Sequence, residues 1–315
     1  MNARTVVQMT DVSMSFGQVK AVDGVSLSVN KGEVFGFLGP NGAGKTTTIR
    51  LLLGLLTPSA GRAEVLGFDT RTQAAAIREH CGALLEHNGL YERMSAHDNL
   101  EFQGRVWRMP SAHREARIEE MLTDIGLWER RFDLVGKWSR GMKQKLAVAR
   151  AMFHRPELIF LDEPSAGLDP VAAAALRQDL ARLAEREGVT IFLTTHNLAE
   201  AEKLCHRVAV IRKGKLLAIG TVDELSGKDG SMHAEIAGKG FNDAIVAALR
   251  AMPDVASVRW ENSHVSVALE RGTEVAPLVH MLVGCGVQIE GVHKNEASLE
   301  DVFLDLMQDD QEGAK

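Results

Sequence analysis

The strongest chemical signal in the chain is nine contiguous residues, Gly39-Pro40-Asn41-Gly42-Ala43-Gly44-Lys45-Thr46-Thr47. The order is G-x-x-x-x-G-K-T. An apolar run, Val34 to Leu38, precedes it and a helical pattern follows. The glycines let backbone N–H groups turn inward around a phosphate without side-chain clash. The helix N-terminus adds a partial positive charge at the same point. Lys45 is placed to reach β- and γ-phosphates, and the Thr46 hydroxyl to ligate Mg²⁺. A chance Gly-rich turn would lack the strand before and the helix after.

The second signal is Leu158-Ile159-Phe160-Leu161-Asp162-Glu163-Pro164. Four apolar residues predict a buried strand, and two carboxylates sit at its carboxyl end, where open α/β sheets bind ligands. Asp162 is placed to hold Mg²⁺ through its water shell. Glu163 is placed to orient and deprotonate an attacking water. A bare Asp-Glu pair is usually a solvated turn. Here it ends a buried strand in a chain that also carries a phosphate loop.

These residues need a scaffold, and the hydrophobic periodicity supplies one. The first thirty residues alternate with period two, predicting strands of an antiparallel or mixed sheet. Val34–Leu38, Leu158–Leu161 and Val189–Thr195 read as strands buried on both faces. A helix is predicted from the phosphate loop through Ile49 to Leu56, punctuated by Pro58 and Gly61. Residues 72 to 155 read as mostly helical. An Ala-rich helix covers about 171–187, and strand 207–212 turns through Lys213-Gly214-Lys215 into Leu216–Ala218. Strands alternating with helices imply a parallel α/β core.

The rhythm changes beyond the turn-rich stretch 226–231. Strand 232–238, helix 242–252, strands 255–260 and 263–269, helix 273–284, strand 287–293 and helix 298–307 are predicted. That order is βαββαβ, a ferredoxin-like split arrangement with a helical tail. Two domains follow, 1–226 (with a helical subdomain at about 82–150) and 232–315. The second has no Gly-rich loop or cysteine cluster and reads as a packing or regulatory module.

Composition sets the outer limits. The chain has 315 residues, 45% apolar and 25% charged, near the globular average, which excludes disordered, collagenous and coiled-coil classes. A formal charge of -6 argues against nucleic acid as a partner. The three cysteines, Cys81, Cys205 and Cys285, are too far apart for a disulfide framework or a zinc site, and suit a reducing compartment. The N-terminus lacks a secretory pattern. The longest apolar stretches, Leu51–Leu56 and Val171–Leu176, fall far short of the ~20 residues that span a bilayer.

With both motifs in hand, the sequence resembles the ATP-binding subunit of an ATP-binding-cassette (ABC) transporter over residues 5 to 225. Lys137-Trp138-Ser139-Arg140-Gly141-Met142-Lys143-Gln144 stands where that family has its LSGGQ signature. Ser165-Ala166-Gly167-Leu168-Asp169 resembles the D-loop, and Thr194-Thr195-His196 the switch-histidine segment. Phe16 stands where the family keeps an aromatic that stacks on adenine. The resemblance implies that Ser139 and the N–H groups of Gly141 and Met142 form a second anion site at a helix start, and that His196 donates to the γ-phosphate. One phosphate loop and one signature per chain imply two copies facing each other with two ATP between them. The other ten histidines read as structural. Lys143, Lys145, Arg150 and Arg155 read as a solvated helix face.

Three residues depart from the family pattern. Phe16 replaces the commoner Tyr, which stacking tolerates. Arg140 and Met142 replace Gly and Gln of the signature. Glu86 stands at the Q-loop glutamine, within Gly82-Ala83-Leu84-Leu85-Glu86-His87-Asn88-Gly89-Leu90-Tyr91. Ionised, a glutamate accepts hydrogen bonds but cannot donate. It would bind Mg²⁺ more strongly and repel the γ-phosphate. This E-loop is similar to that of bacitracin- and lantibiotic-resistance exporters, and the ending Ser298-Leu299-Glu300-Asp301-Val302-Phe303 resembles the tails of drug and antibiotic exporter ATPases.

The resemblance therefore implies an ATPase that drives a separate integral-membrane permease for efflux of a drug, antibiotic or similar hydrophobic compound, seated on the cytoplasmic face of the membrane through that partner. Its permease would dock around residues 86–110. ABC ATPases of translation or DNA repair form the second class, but they usually carry two cassettes or a long coiled coil. A metabolic P-loop kinase, the third, has no use for SRGMKQ ahead of the second carboxylate motif.

Overall fold

The computed structural model describes residues 4–225, 232–269, 273–296, 299, 300 and 303. It divides into two compact units between Ile219 and Gly220. The turn-rich stretch 226–231 lies outside the described residues.

In the first unit β1 (Thr5–Phe16) and β2 (Val19–Asn30) are followed by β3 (Val34–Leu38), whose five residues are all buried, and by α1 (Lys45–Leu52). Then come β4 (Ala60–Val65), β5 (Phe68–Asp69), α2 (Ala74–His80) and β6 (Cys81–Leu84). The helices α3 (Ala96–Val106), α4 (Ser111–Asp124) and α5 (Arg140–Met152) precede β7 (Leu158–Asp162). The unit continues through α6 (Pro170–Glu187), β8 (Thr190–Thr195), α7 (Leu198–Leu204), β9 (Arg207–Arg212) and β10 (Lys215–Thr221).

A four-stranded sheet runs β2-β1-β4-β5, with β1–β2, β1–β4 and β4–β5 paired antiparallel. A six-stranded sheet runs β10-β9-β3-β8-β7-β6, with β9, β3, β8, β7 and β6 parallel. Phe192 in β8 contacts Phe35 and Phe37 of β3 and Phe160 of β7, with ring centroids 5.5, 5.7 and 5.6 Å away. All four rings are fully buried. Truncating such an aromatic costs about 3–5 kcal/mol, so the cluster strongly holds β3, β8 and β7 together. Their register sets Leu38 beside Thr195 and Thr194 beside Asp162. The phosphate loop, the two carboxylates and the histidine segment thus leave the sheet at one height, at its carboxyl edge.

Several expectations are corrected. The first helix stops at Leu52 rather than Leu56, because Gly54 adopts a left-handed φ of 62° and turns the chain away. The stretch expected to be mostly helical contains β6, a four-residue edge strand pairing with β7. The charged face of α5 is not a solvated stripe. Lys143 pairs with Glu92 at 2.7 Å and Lys145 with buried Asp179 at 2.8 Å, while Arg155, beyond the helix, stays exposed as expected and pairs with Glu120 and Glu187. The Arg150 guanidinium is tucked against the backbone of Gly89, and its burial lowers its pKa.

His154 follows α5 and stacks on Trp107 with ring centroids 3.9 Å apart. Burial pushes its pKa down to about 4. The unfolded chain, with a His pKa near 6.5, therefore binds a proton that the folded chain refuses between those values. Stability from this site is complete above pH 6.5 and declines as pH falls toward 4. Between pH 7.5 and 5 the loss is about 2 kcal/mol, and His154→Phe should remove it while keeping the stack. Urea unfolding at the two pH values checks this; equal losses in parent and variant would refute it.

The second unit holds α8 (Val222–Leu225), β11 (Met232–Lys239), α9 (Asp243–Arg250), β12 (Val255–Glu261), β13 (His264–Leu269), α10 (Ala276–Gly284) and β14 (Gln288–Glu296). Its sheet runs β12-β13-β11-β14, antiparallel throughout, which is the ferredoxin-like βαββαβ order. Ile245 and Leu249 of α9 and Leu278 and Leu282 of α10 pack on Ile236, Val265 and Val267. Asn242 caps α9 by accepting from the Ile245 N–H at 3.0 Å. The expected terminal helix, 298–307, falls largely outside the described residues.

Candidate active site

The phosphate loop connects β3 to α1. Gly44 caps α1 with a φ of 112°, and a Cβ there would lie 2.3 Å from the Ala21 carbonyl oxygen, so only glycine fits. The next side chain, Lys45, is 6% exposed. Its ammonium donates to the carbonyls of Gly39 at 2.7 Å and Pro40 at 3.1 Å, and lies 3.0 Å from Oε1 of Glu163. The Thr46 hydroxyl donates to Asp162 Oδ2 at 2.7 Å, while the buried Thr194 hydroxyl donates to Oδ1 at 2.5 Å. Asp162 is therefore held from both sides.

Glu163 has a positive φ of 50°, sparsely populated for a residue with a side chain. Its N–H donates to both the carbonyl and the hydroxyl of Thr194, each at 3.1 Å, which fixes the turn. Its Oε2 lies 2.7 Å from Nδ1 of His196. A cleft of about 200 Å³ opens here, lined by Ala21, Asn41, Gly42, Lys45, Thr47 and Glu163 among others. A cationic ammonium, loop N–H groups and an ordered carboxylate–imidazole pair around one cleft can bind a phosphate chain and take a proton from water.

Five sequence-predicted residues thus meet: Lys45, Thr46, Asp162, Glu163 and His196. Others stand apart. Phe16 ends β1 and is 49% exposed, an open ring face. Ser139 caps α5, and its hydroxyl accepts from the Met142 N–H at 3.3 Å, so that N–H is already engaged. Asp169 caps α6 by accepting from the Ala172 N–H at 2.8 Å. The Arg140 guanidinium packs against Gly167, and Gly141 lies against Ala172, so the two capped segments abut. Glu86 lies just past β6, 71% exposed, with its carboxylate 3.9 Å from Arg50. It lines a second cleft, of about 330 Å³, with Arg140 and Lys143.

Two residues of this region escape a reading by type. Thr194 looks like one more residue of a buried strand, yet it organises both carboxylates. Glu200, in α7, looks like a surface acid but is buried; its carboxylate accepts from the Ser165 hydroxyl at 2.5 Å and the Thr195 hydroxyl at 3.3 Å. Burial pushes the nearby Cys205 thiol up, and Glu200 adds to the shift. Cys81 is likewise pushed up by burial, to about 12. Both are inert thiols.

Residues 22–166 match the family model described as ABC transporter. The chain is 35% identical over 303 residues to the bacitracin transport ATP-binding protein BcrA of Bacillus licheniformis, covering 96% of this chain and 97% of that one. The chain belongs to the ABC transporter family of ATP-binding proteins. It is also 31% identical over 305 residues to the linearmycin resistance ATP-binding protein LnrL of Bacillus subtilis, across 96% of this chain and 98% of that one. With the daunorubicin resistance ATP-binding protein DrrA3 of Streptomyces coeruleorubidus it shares 35% over 311 residues, 98% of each chain. Among solved structures, an ATP-binding subunit of an ABC transporter superposes with a TM-score of 0.63 at 29% identity, over 71% of this chain and 93% of that one. This ABC protein is an ATPase, a member of the class that hydrolyses ATP to power transport. Its fold is the ABC ATPase fold with an added ferredoxin-like unit.

Proposed function

We propose that this ABC ATPase drives export of a drug or antibiotic through a separate membrane permease, with two ATP bound between two copies of the chain. The observation that carries the ATPase chemistry is the contact of Lys45, from the phosphate loop, with Glu163, which is paired with His196. The hydroxyl of Thr46 and the carboxylate of Asp162 are hard oxygen donors set side by side, the donor chemistry Mg²⁺ takes. These two would hold the ion, which supplies charge stabilisation at the β- and γ-phosphates when bound. Lys45 turns its ammonium from loop carbonyls to phosphate oxygens. Glu163 accepts a proton from the water whose oxygen bonds to the γ-phosphorus as the bond to the β-phosphate oxygen breaks. His196 holds Glu163 and donates to the γ-phosphate, and Phe16 stacks on adenine. Ser139, Gly141, Met142 and Asp169 serve the ATP held by the second copy.

No helix among the described residues is long and apolar enough to cross a membrane, so transport needs a partner that does. The exposed aromatics Tyr91 and Phe102, in edge contact at 5.1 Å, with exposed Val106 on α3, suit docking of permease helices. On this reading the subunit sits on the cytoplasmic face of the membrane, held there by the permease. Relatives named for bacitracin, linearmycin and daunorubicin, matched over nearly the whole chain, support export over a role in translation or repair. Expression with its permease in a sensitive host should raise the inhibitory concentration of at least one such compound. Unchanged sensitivity to all three would count against drug export.

Glu86 makes the site's Mg²⁺ response distinctive. On this reading its carboxylate, exposed and 3.9 Å from Arg50, would serve the metal once two copies close on ATP. Glu86→Gln should still hydrolyse ATP but with a several-fold shift in the Mg²⁺ concentration for half-maximal rate. Glu86→Ala should be slower than either. Because the side chain is exposed, stability should change by less than about 0.5 kcal/mol. Rate curves against Mg²⁺ that superimpose for all three versions would remove residue 86 from the site.

A further inference from the structure

Glu163 and His196 sit on different loops, one after β7 and one after β8, and their 2.7 Å contact needs the loops held together. Strand pairing ends at Asp162 and Thr194. Beyond it a second link crosses between the loops. Ser165, two residues after Glu163, donates its hydroxyl to Glu200 Oε2 at 2.5 Å. Thr195, next to His196, donates its hydroxyl to the same oxygen at 3.3 Å. Thr195 Oγ1 also accepts from the Asn197 N–H at 3.0 Å, and Asn197 caps α7 by accepting from the Glu200 N–H at 3.1 Å. His196 is thus bracketed by two residues that belong to one ring of hydrogen bonds closed by Glu200. The carboxylate is 1% exposed, and a buried acceptor with two hydroxyl donors fixes geometry more firmly than a solvated one.

We infer that Glu200 is a positioning residue for ATP hydrolysis: it clamps the Ser165 loop to the Thr195 loop and so keeps Glu163 and His196 aligned. Its hydrogen bonds go to Ser165, Thr195 and Asn197, and it is not among the residues lining the cleft, so its loss should act on turnover more than on binding. The inference rests on the proposed roles of Glu163 and His196. Misplacement of such a pair by about 1 Å costs on the order of a hundredfold in rate.

The test compares Ser165→Ala, Glu200→Ala, their combination and Glu200→Gln in the full chain. Turnover is read together with ATP affinity and binding stoichiometry by calorimetry. Ser165→Ala and Glu200→Ala should each lower kcat about tenfold or more, with affinity and stoichiometry within about twofold of the parent. The double variant should be no slower than Glu200→Ala, because both remove one link. Glu200→Gln, which keeps an acceptor for both hydroxyls, should recover most of the rate. Parent-like turnover in Ser165→Ala and Glu200→Ala, or losses that multiply in the double variant, would overturn the clamp. So would a fall in rate matched by a fall in stoichiometry in Ser165→Ala, which marks a folding defect; that variant, on a half-buried loop residue, gives the result should Glu200→Ala not fold. If Glu163→Gln itself left hydrolysis untouched, the underlying assignment would fail instead.

Discussion

Glu163→Gln is expected to lower steady-state ATP hydrolysis by about 10²–10⁴-fold, the range a positioned general base contributes. The substitution keeps the shape of the side chain and an oxygen that can still accept from Lys45, while the amide NH₂ takes the place that faces His196. It removes the basicity that takes the proton from water. The turn that presents the side chain is set by backbone contacts to Thr194, which the substitution leaves alone. Binding should therefore survive, and ATP should hold two copies together because the step that releases them is blocked. Sizing chromatography with Mg-ATP should show a dimer that the parent does not accumulate. Turnover within a few-fold of the parent would remove Glu163 from the role of base.

What the sequence discloses here is what is contiguous. The phosphate loop, the strand ending in Asp162-Glu163 and the βαββαβ rhythm each occupy an unbroken stretch, so residue type and period are enough to place them. What it hides depends on distant partners. The segment Cys81–Leu84 has four residues and no alternation, and becomes a strand only because β7 lies alongside. Lys145 and Arg150 share the helical spacing of a solvated face, but Asp179 and the backbone at Gly89 lie against them. Glu200 sits among acids in a short helix, and only the return of Ser165 from another strand shows that its carboxylate is enclosed. The leucine run after α1 continues a helical pattern that Gly54 cuts short by backbone conformation. In each instance a tertiary contact or a single torsion outweighed local pattern.

Lys45→Ala acts one step earlier than the base. It should weaken ATP binding itself by about 10²–10⁴-fold, since two charge-assisted contacts to phosphate are each worth about 1.5–3 kcal/mol. Calorimetry with the full chain measures this, and affinity equal to the parent would mean that the loop is no phosphate cradle. The same substitution has a second consequence. Lys45 is the buried cation beside Oε1 of Glu163, which is itself only 22% exposed. Removing it leaves a partly enclosed carboxylate without its counter-charge, so the nucleotide-free protein should also lose stability. Adding Glu163→Gln to Lys45→Ala takes away that orphaned charge. The double variant should regain much of the lost unfolding midpoint but none of the ATP affinity. That split separates the two tasks of the ammonium, neutralising a carboxylate in the resting site and a phosphate in the loaded one. Recovery of both together would show that the binding loss came from instability alone.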